Sequence, residues 1–141
     1  MAVSFNPYIN FKDNTRQAME FYKSVFGGEL TVQTFGDMPM PGQDPSENDK
    51  VMHSELKAPD VHFMASDTPN HMEFKTPAGF GLSLSGEDES VLQAYWDKLA
   101  DGGTVTMPLA KAPWGDTFGM LVDKFGIGWM VNVTAPAGAA A

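Results

Sequence analysis

The sequence predicts an α+β fold built from two βαβββ modules, and three observations carry the prediction. Two segments of the 141-residue chain place apolar residues at helical spacing and end on paired glycines. Each follows a short run of strict apolar/polar alternation and precedes a strand and a hairpin pattern. The two halves also align with each other, the helix-ending glycines Gly27 and Gly102 being offset by 75 residues and the closing hairpins by 66.

In chain order, Ile9 and Phe11 alternate with Tyr8 and Asn10, which predicts the first strand. Asn14 to Phe26 carries Ala18, Phe21, Tyr22, Val25 and Phe26 on one stripe. Asn14 with Gln17 forms the pattern of a capping box, and Gly27-Gly28 supplies the stop. Glu29 to Phe35 is a second strand. Val51 to Lys57 and Val61 to Ser66, around Ala58-Pro59-Asp60, form a hairpin. The second half repeats this order. Leu82 and Leu84 alternate with Ser83 and Ser85, and Asp88 to Ala100 is striped by Val91, Leu92, Tyr95, Trp96 and Leu99. Thr104 to Leu109 follows as a strand, and Phe118 to Asp123 with Ile127 to Val133 closes the module. Val61 then matches Ile127, Phe63 matches Trp129 and Met64 matches Met130. The modules are assigned to residues 1–67 and 79–134, joined by a linker over 68–78. The first contains a long Pro/Gly/Asp/Asn-rich loop at 39–49, and residues 135–141 form a tail expected to be disordered.

Composition narrows the function. Hydrophobic residues make up 43% and charged residues 19%, a globular balance. A net charge of −9 argues against nucleic acid and anionic membranes as partners, since both require clustered Lys and Arg. Without cysteine there are no disulfides, thiolate metal sites or Cys nucleophile. Met1 to Phe5 lacks the basic-then-apolar build of a signal peptide, and no apolar run reaches membrane length, so a cytoplasmic location is expected.

Several stretches resemble one family. They are Tyr8 to Phe11, Ala18 to Gly28, Met52 to Leu56, Phe63 to Asp67 and Gly102 to Leu109. The most specific is Trp114-Gly115 followed by Phe118 to Met120, Asp123, Phe125-Gly126 and Trp129 to Asn132. Together they are similar to PhnB-like proteins of the glyoxalase/bleomycin resistance/dioxygenase (vicinal oxygen chelate) superfamily. The resemblance implies a curved mixed sheet with helices on its convex face, and a homodimer. The group also carries a 3-demethylubiquinone methyltransferase-like label. A conventional methyl-donor site needs a Gly-rich strand-to-helix turn in a parallel sheet, and Gly79-Phe80-Gly81 is not followed by a helix at that distance.

Enzymes of this superfamily hold a divalent ion through His, Gln or Glu on the first and last strands of each module. Alternation places Asn6, Tyr8, Asn10, His62, Met64 and Ser66 on that face in the first half, and Gly79, Gly81, Ser83, Gly128, Met130 and Asn132 in the second. The positions matching the family ligands are then Asn6, Met64, a residue near Gly79 to Gly81, and Met130. No metal or other cofactor is expected there, because a borderline or hard cation prefers carboxylate and imidazole. His53 and Glu55 share a strand face with His62 beside them, so they could serve as a base with its partner or as non-standard metal ligands. Against this stands a hydrogen-bonded polar cluster at a cavity rim or subunit interface. The second-half counterpart of His53 is read as Gly119. His71 falls in the linker and is expected to be exposed.

Ten Met, ten Phe, three Tyr and three Trp are a heavy apolar load for this length. Core filling accounts for Phe21, Phe26, Phe63 and Trp129. Tyr8, Met64, Trp114 and Met130, with Asn10 and His53, are the candidate lining of a ligand pocket, and a dimer interface competes for the same residues. Three functions stay open: a binding protein for a small, partly apolar molecule, a lyase-, isomerase- or transferase-type enzyme using His53 and Glu55, and an interaction module without a ligand.

Overall fold

The computed structural model describes residues 3–39 and 41–136. It divides between Thr76 and Pro77 into two compact units. The first holds β1 (Tyr8–Phe11), α1 (Thr15–Phe26), β2 (Glu29–Thr34), β3 (Val51–Lys57) and β4 (His62–Asp67). The second holds β5 (Leu82–Gly86), α2 (Glu89–Ala100), β6 (Thr104–Lys111), β7 (Thr117–Val122) and β8 (Gly128–Val133). The expected βαβββ order therefore occurs twice. The mixed sheet is present as two four-stranded sheets, ordered β1-β4-β3-β2 and β5-β8-β7-β6, in which only the first pair of each is parallel.

In the first unit, one sheet face is apolar because alternate positions are. Ile9, Phe11, Leu56, Phe63 and Ala65 are buried there, together with Ala18, Met19, Tyr22, Val25 and Phe26 of α1. Tyr22 meets Phe63 edge-on, with ring centroids 5.3 Å apart. Burying each such side chain contributes roughly 1.5–3 kcal/mol, and this face accounts for most of what holds helix to sheet. Phe21, expected in the stripe, is only half-buried, and Met19 takes its place in the core. The stop at Gly27-Gly28 requires glycine: both have positive φ, and a Cβ on Gly28 would lie 2.2 Å from the Lys57 carbonyl oxygen.

The predicted capping box at Asn14 does not form, and Asn14 makes no side-chain cap bond. Asp67, at the end of β4, supplies the cap instead. Its Oδ1 accepts from the Thr15 backbone N–H at 3.1 Å and the Thr15 hydroxyl at 2.7 Å. Its Oδ2 accepts from the Val51 N–H at 2.8 Å. A carboxylate buried from water is satisfied this way, and it joins α1, β3 and β4 at one point.

In the second unit α2 is capped by its own N-terminal neighbour, Asp88 accepting from the Val91 N–H at 3.2 Å. Leu92, Trp96 and Leu99 are buried with Leu84, Leu121, Trp129 and Val131, whereas Val91 of the expected stripe is exposed. β6 runs two residues beyond Leu109 and accommodates Pro108 because it is an edge strand interrupted by bulges. The β7–β8 turn is organised by buried Asp123, which accepts from the N–H groups of Phe125 and Ile127 and from Trp129 Nε1.

That turn corrects the alignment of the halves. Between paired ends Val122 and Gly128 lie five residues, against four between Lys57 and His62. With Met64 matched to Met130, Ser54 therefore falls opposite Gly119, and His53 opposite Phe118 rather than Gly119.

The loop at 39–49 is not structureless. Pro45–Glu47 forms a turn of 3-10 helix, and Glu47 is buried. Of the expected tail, Ala135 is held by its N–H to Asp116 Oδ1 at 2.9 Å, while residues 137–141 lie outside the described residues. Among the described residues no helix is long and apolar enough to cross a membrane.

Candidate ligand-binding site

The face of the first sheet turned away from α1 carries the polar side chains. Register sets Tyr8 beside Met64 and Met64 beside Glu55, with Asn10 beside Ser66 in the next row. The pairing of β2 with β3 steps from Gln33–His53 to Thr34–Val51, so Met52 is an extra residue on β3. A bulge of this kind turns two successive side chains to the same side. Val51 is accordingly buried, while Met52 and His53 both stay partly accessible.

Two separate contacts occupy the polar residues. The Tyr8 hydroxyl lies 3.3 Å from His53 Nδ1, and the two rings stack at 5.8 Å. Glu55 Oε2 lies 2.7 Å from His62 Nε2, and Glu55 Oε1 lies 3.8 Å from Lys57 Nζ. The hydrogen bond from His62 outweighs partial desolvation and, with the positive charge of Lys57, holds the Glu55 carboxyl below its ordinary 4.5. His53, Glu55 and His62 share a face, as the spacing implies, but Glu55 is engaged by His62 and not by His53.

Beside this face lies a cleft of about 500 Å³, within the range of small-molecule sites. Tyr8, Phe35, Met52 and Met72 give it apolar walls, and Asn10, Ser66, Glu73 and Lys75 bring polar groups to it. Of the candidate pocket residues, Tyr8 and Asn10 line the cleft directly. His53 is joined to it through Tyr8, and Met64 neighbours Tyr8 in the sheet. Phe35, Met52 and Met72 escape the sequence reading. Met52 does so because alternation puts it on the wrong face until the bulge is known, and Met72 because it lies in the linker.

The cleft wall is fixed by Lys50. Its ammonium reaches Asn70 Oδ1 at 2.8 Å, Asp13 Oδ1 at 3.1 Å, the Thr68 carbonyl at 3.4 Å and Glu47 Oε1 at 3.6 Å. One side chain thereby gathers the start of α1, the long loop and the 68–70 segment. Desolvation of the ammonium is outweighed by the carboxylates of Asp13 and Glu47, which raise its pKa above 10.5.

Trp114 and Met130 belong to the second unit. Trp114 is exposed in the turn after β6 and meets Phe118 edge-on at 5.6 Å. Met130 pairs with Met120, which pairs with Met107, so three thioethers cross the open face of that sheet in one row. Gly81 leaves room for the Met130 methyl, which a Cβ there would meet at 2.9 Å.

The four positions matching the superfamily's metal ligands do not make a suitable donor set. Asn6 spends its amide on the His62 carbonyl at 3.3 Å and accepts from Ser4 at 2.9 Å. The others are two thioethers and a glycine segment, soft or absent donors for a divalent cation of the usual kind. Among the described residues no three His, Cys, Asp or Glu side chains are grouped as a metal site.

Residues 3–132 match the family described as 3-demethylubiquinone-9 3-methyltransferase. Protein YjdN from Escherichia coli is 30% identical over 138 residues, 91% of this chain and 93% of that protein. A crystal structure from Pseudomonas aeruginosa superposes with a TM-score of 0.83 at 34% identity, covering 93% of this chain and 97% of the other. A PhnB protein from Bacillus cereus gives 0.69 at 29%, covering 92% and 98%. The fold alone is shared with a glyoxylase/bleomycin resistance protein/dioxygenase domain from Frankia, with a TM-score of 0.63, 14% identity and coverage of 96% and 99%.

Proposed function

We propose that this chain, which belongs to the family described as 3-demethylubiquinone-9 3-methyltransferase and has the glyoxalase/bleomycin resistance fold, binds a small, partly apolar molecule in the Tyr8 cleft without the usual superfamily metal. The observation that supports this most is the cleft itself, about 500 Å³ with an aromatic and thioether wall and a few polar groups at fixed positions. The methyltransferase description is not carried over. The sheets contain no parallel strand–helix–strand unit opening on a Gly-rich turn among the described residues.

Fluorescence titration with anilinonaphthalene sulfonate, whose rings and single charge suit Tyr8, Phe35 and Lys75, tests the reading. Tyr8→Ala and Phe35→Ala should each weaken binding by about 10-fold at unchanged melting temperature. Equal affinity in wild type and both variants would remove the cleft from consideration.

A second reading is enzymatic. The observation favouring it is the Tyr8–His53 contact, which orients the imidazole through Nδ1 beside the cleft. In this reading His53 is the base, and Glu55, held by His62, tunes the charge around it. A homodimer, as the family resemblance implies, is proposed with either reading, and light scattering of the purified protein decides it.

A further inference from the structure

We propose that the ligand carries a protonated nitrogen, received by a second compartment that adjoins the Tyr8 cleft and holds the Glu47 carboxylate. The inference deepens the proposed binding function and rests on it.

The second compartment has a volume of about 470 Å³ and is lined by Phe35, Pro41, Gly42, Gln43, Asp44, Glu47, Pro69, Asn70 and His71. Phe35 and Pro69 also line the Tyr8 cleft, so the two spaces share a wall of one ring and one proline. A ligand long enough to pass Phe35 would touch both. The chemistry changes across that wall. The Tyr8 side offers aromatic and thioether surface with Lys75 and Glu73 together, whereas the loop side offers Asp44 and Glu47 with no lysine or arginine among its described lining residues.

Glu47 is the informative group. It is 7% exposed, yet only Oε1 is engaged, by the Asn70 N–H at 2.6 Å and by Lys50 at 3.6 Å. Oε2 takes no hydrogen bond among the described residues. Among the described residues no enclosed side-chain oxygen lacks a partner, so Oε2 stays accessible, and a charged N–H donor is the partner that best offsets the desolvation of this largely buried carboxylate. Asp44 adds a second negative charge. The Ser46 N–H bound to its Oδ1 holds that carboxyl below its ordinary 3.8, so it is ionised at neutral pH. Among the described lining residues only His71 could become positive, and the Lys50 ammonium beside Glu47 Oε1 is shared with Asp13, Asn70 and the Thr68 carbonyl.

An organic ammonium fits better than a metal ion. The described residues present no grouped His, Cys, Asp and Glu ligands, and the apolar faces of Phe35, Pro41 and Pro69 favour a cation on a carbon chain.

The test compares phenylbutylamine with phenylbutanol, two probes of like shape that differ in the charged nitrogen, by calorimetry on the full chain. The amine should bind wild type about 10-fold more tightly than the alcohol, and the preference should shrink with added salt. Glu47→Gln should abolish the preference, weakening the binding of the amine about 10-fold more than that of the alcohol. Since Glu47 also anchors Lys50, Asp44→Asn is run in parallel, and a partial loss of preference in this exposed position reports the same field without disturbing that contact. Equal binding of amine and alcohol to wild type would overturn the second compartment and leave the Tyr8 cleft standing. A preference that survives in Glu47→Gln would do the same. Binding of neither probe, or binding of the alcohol that Tyr8→Ala does not weaken, would overturn the cleft reading and this inference with it.

Discussion

Glu55 is bonded to His62, at 2.7 Å from Oε2 to Nε2, and this leaves His53 to the hydroxyl of Tyr8. One face of the first sheet thus holds two independent polar pairs where its spacing permits a triad. The pairs separate charge stabilisation from any role of His53 at the cleft, and they can be tested apart.

The Glu55–His62 pair has a defined pH signature. Its carboxyl is held below 4.5, chiefly by the His62 hydrogen bond, so the stabilisation is complete above that value and is lost as pH falls through the lowered folded-state value. Melting curves of wild type and Glu55→Gln should therefore differ at about pH 7, wild type being the more stable, and the gap should close progressively as pH falls below 4.5. A gap that persists unchanged in acid would mean that the glutamate acts through packing.

His53 distinguishes an enzyme from a binder. In the enzymatic reading His53→Ala abolishes turnover of a substrate found by screening, and the melting temperature moves by less than about 2 °C. Tyr8→Phe, which removes only the oxygen facing Nδ1, should reduce turnover less. A large fall in melting temperature with His53→Ala would make this histidine structural.

Asp67 should be among the most sensitive polar positions in the first unit. Three donors converge on its buried carboxylate, and Asp67→Ala leaves the Thr15 and Val51 N–H groups without their acceptor. We expect a loss of about 3 kcal/mol in urea denaturation. A change under about 1 kcal/mol would show that water replaces the carboxylate at little cost.

Gly119 is required for space. A Cβ there would lie 2.7 Å from the Trp96 ring and 2.8 Å from the Leu109 Cα. Gly119→Ala should destabilise by about 1–3 kcal/mol, as overpacking against backbone does. Gly86→Ala, which meets nothing within 4 Å, should stay within about 0.5 kcal/mol.

The repeated fold was legible because period-2 and period-3.6 patterns alternate along the chain and are punctuated by paired glycines. What escaped depends on distant or irregular contacts. Asn14 with Gln17 reads as a cap, but the acceptor comes from Asp67 on the far strand of the unit, where no local pattern reveals it. Met52 hides behind alternation because a single extra residue reverses the face. The pairing of His53 with Gly119 failed by one residue because Asp123 supports a longer turn than Ala58-Pro59-Asp60. At the site, Tyr8 and Asn10 were visible as outward residues of an alternating strand. Phe35 and Met72 lie at a strand end and in a linker, where sequence gives no direction.

Lys50 has a kinetic and entropic consequence. Because it ties three chain segments through four oxygens, the boundary between the two compartments is ordered before any guest arrives. The conformational freedom of the long loop is given up during folding rather than during association. Encounter should then proceed without a slow loop-ordering step, and affinity should be coupled to the stability of the empty protein. Lys50→Met would lower both together: the loop regains its freedom, and each binding event must quench it anew.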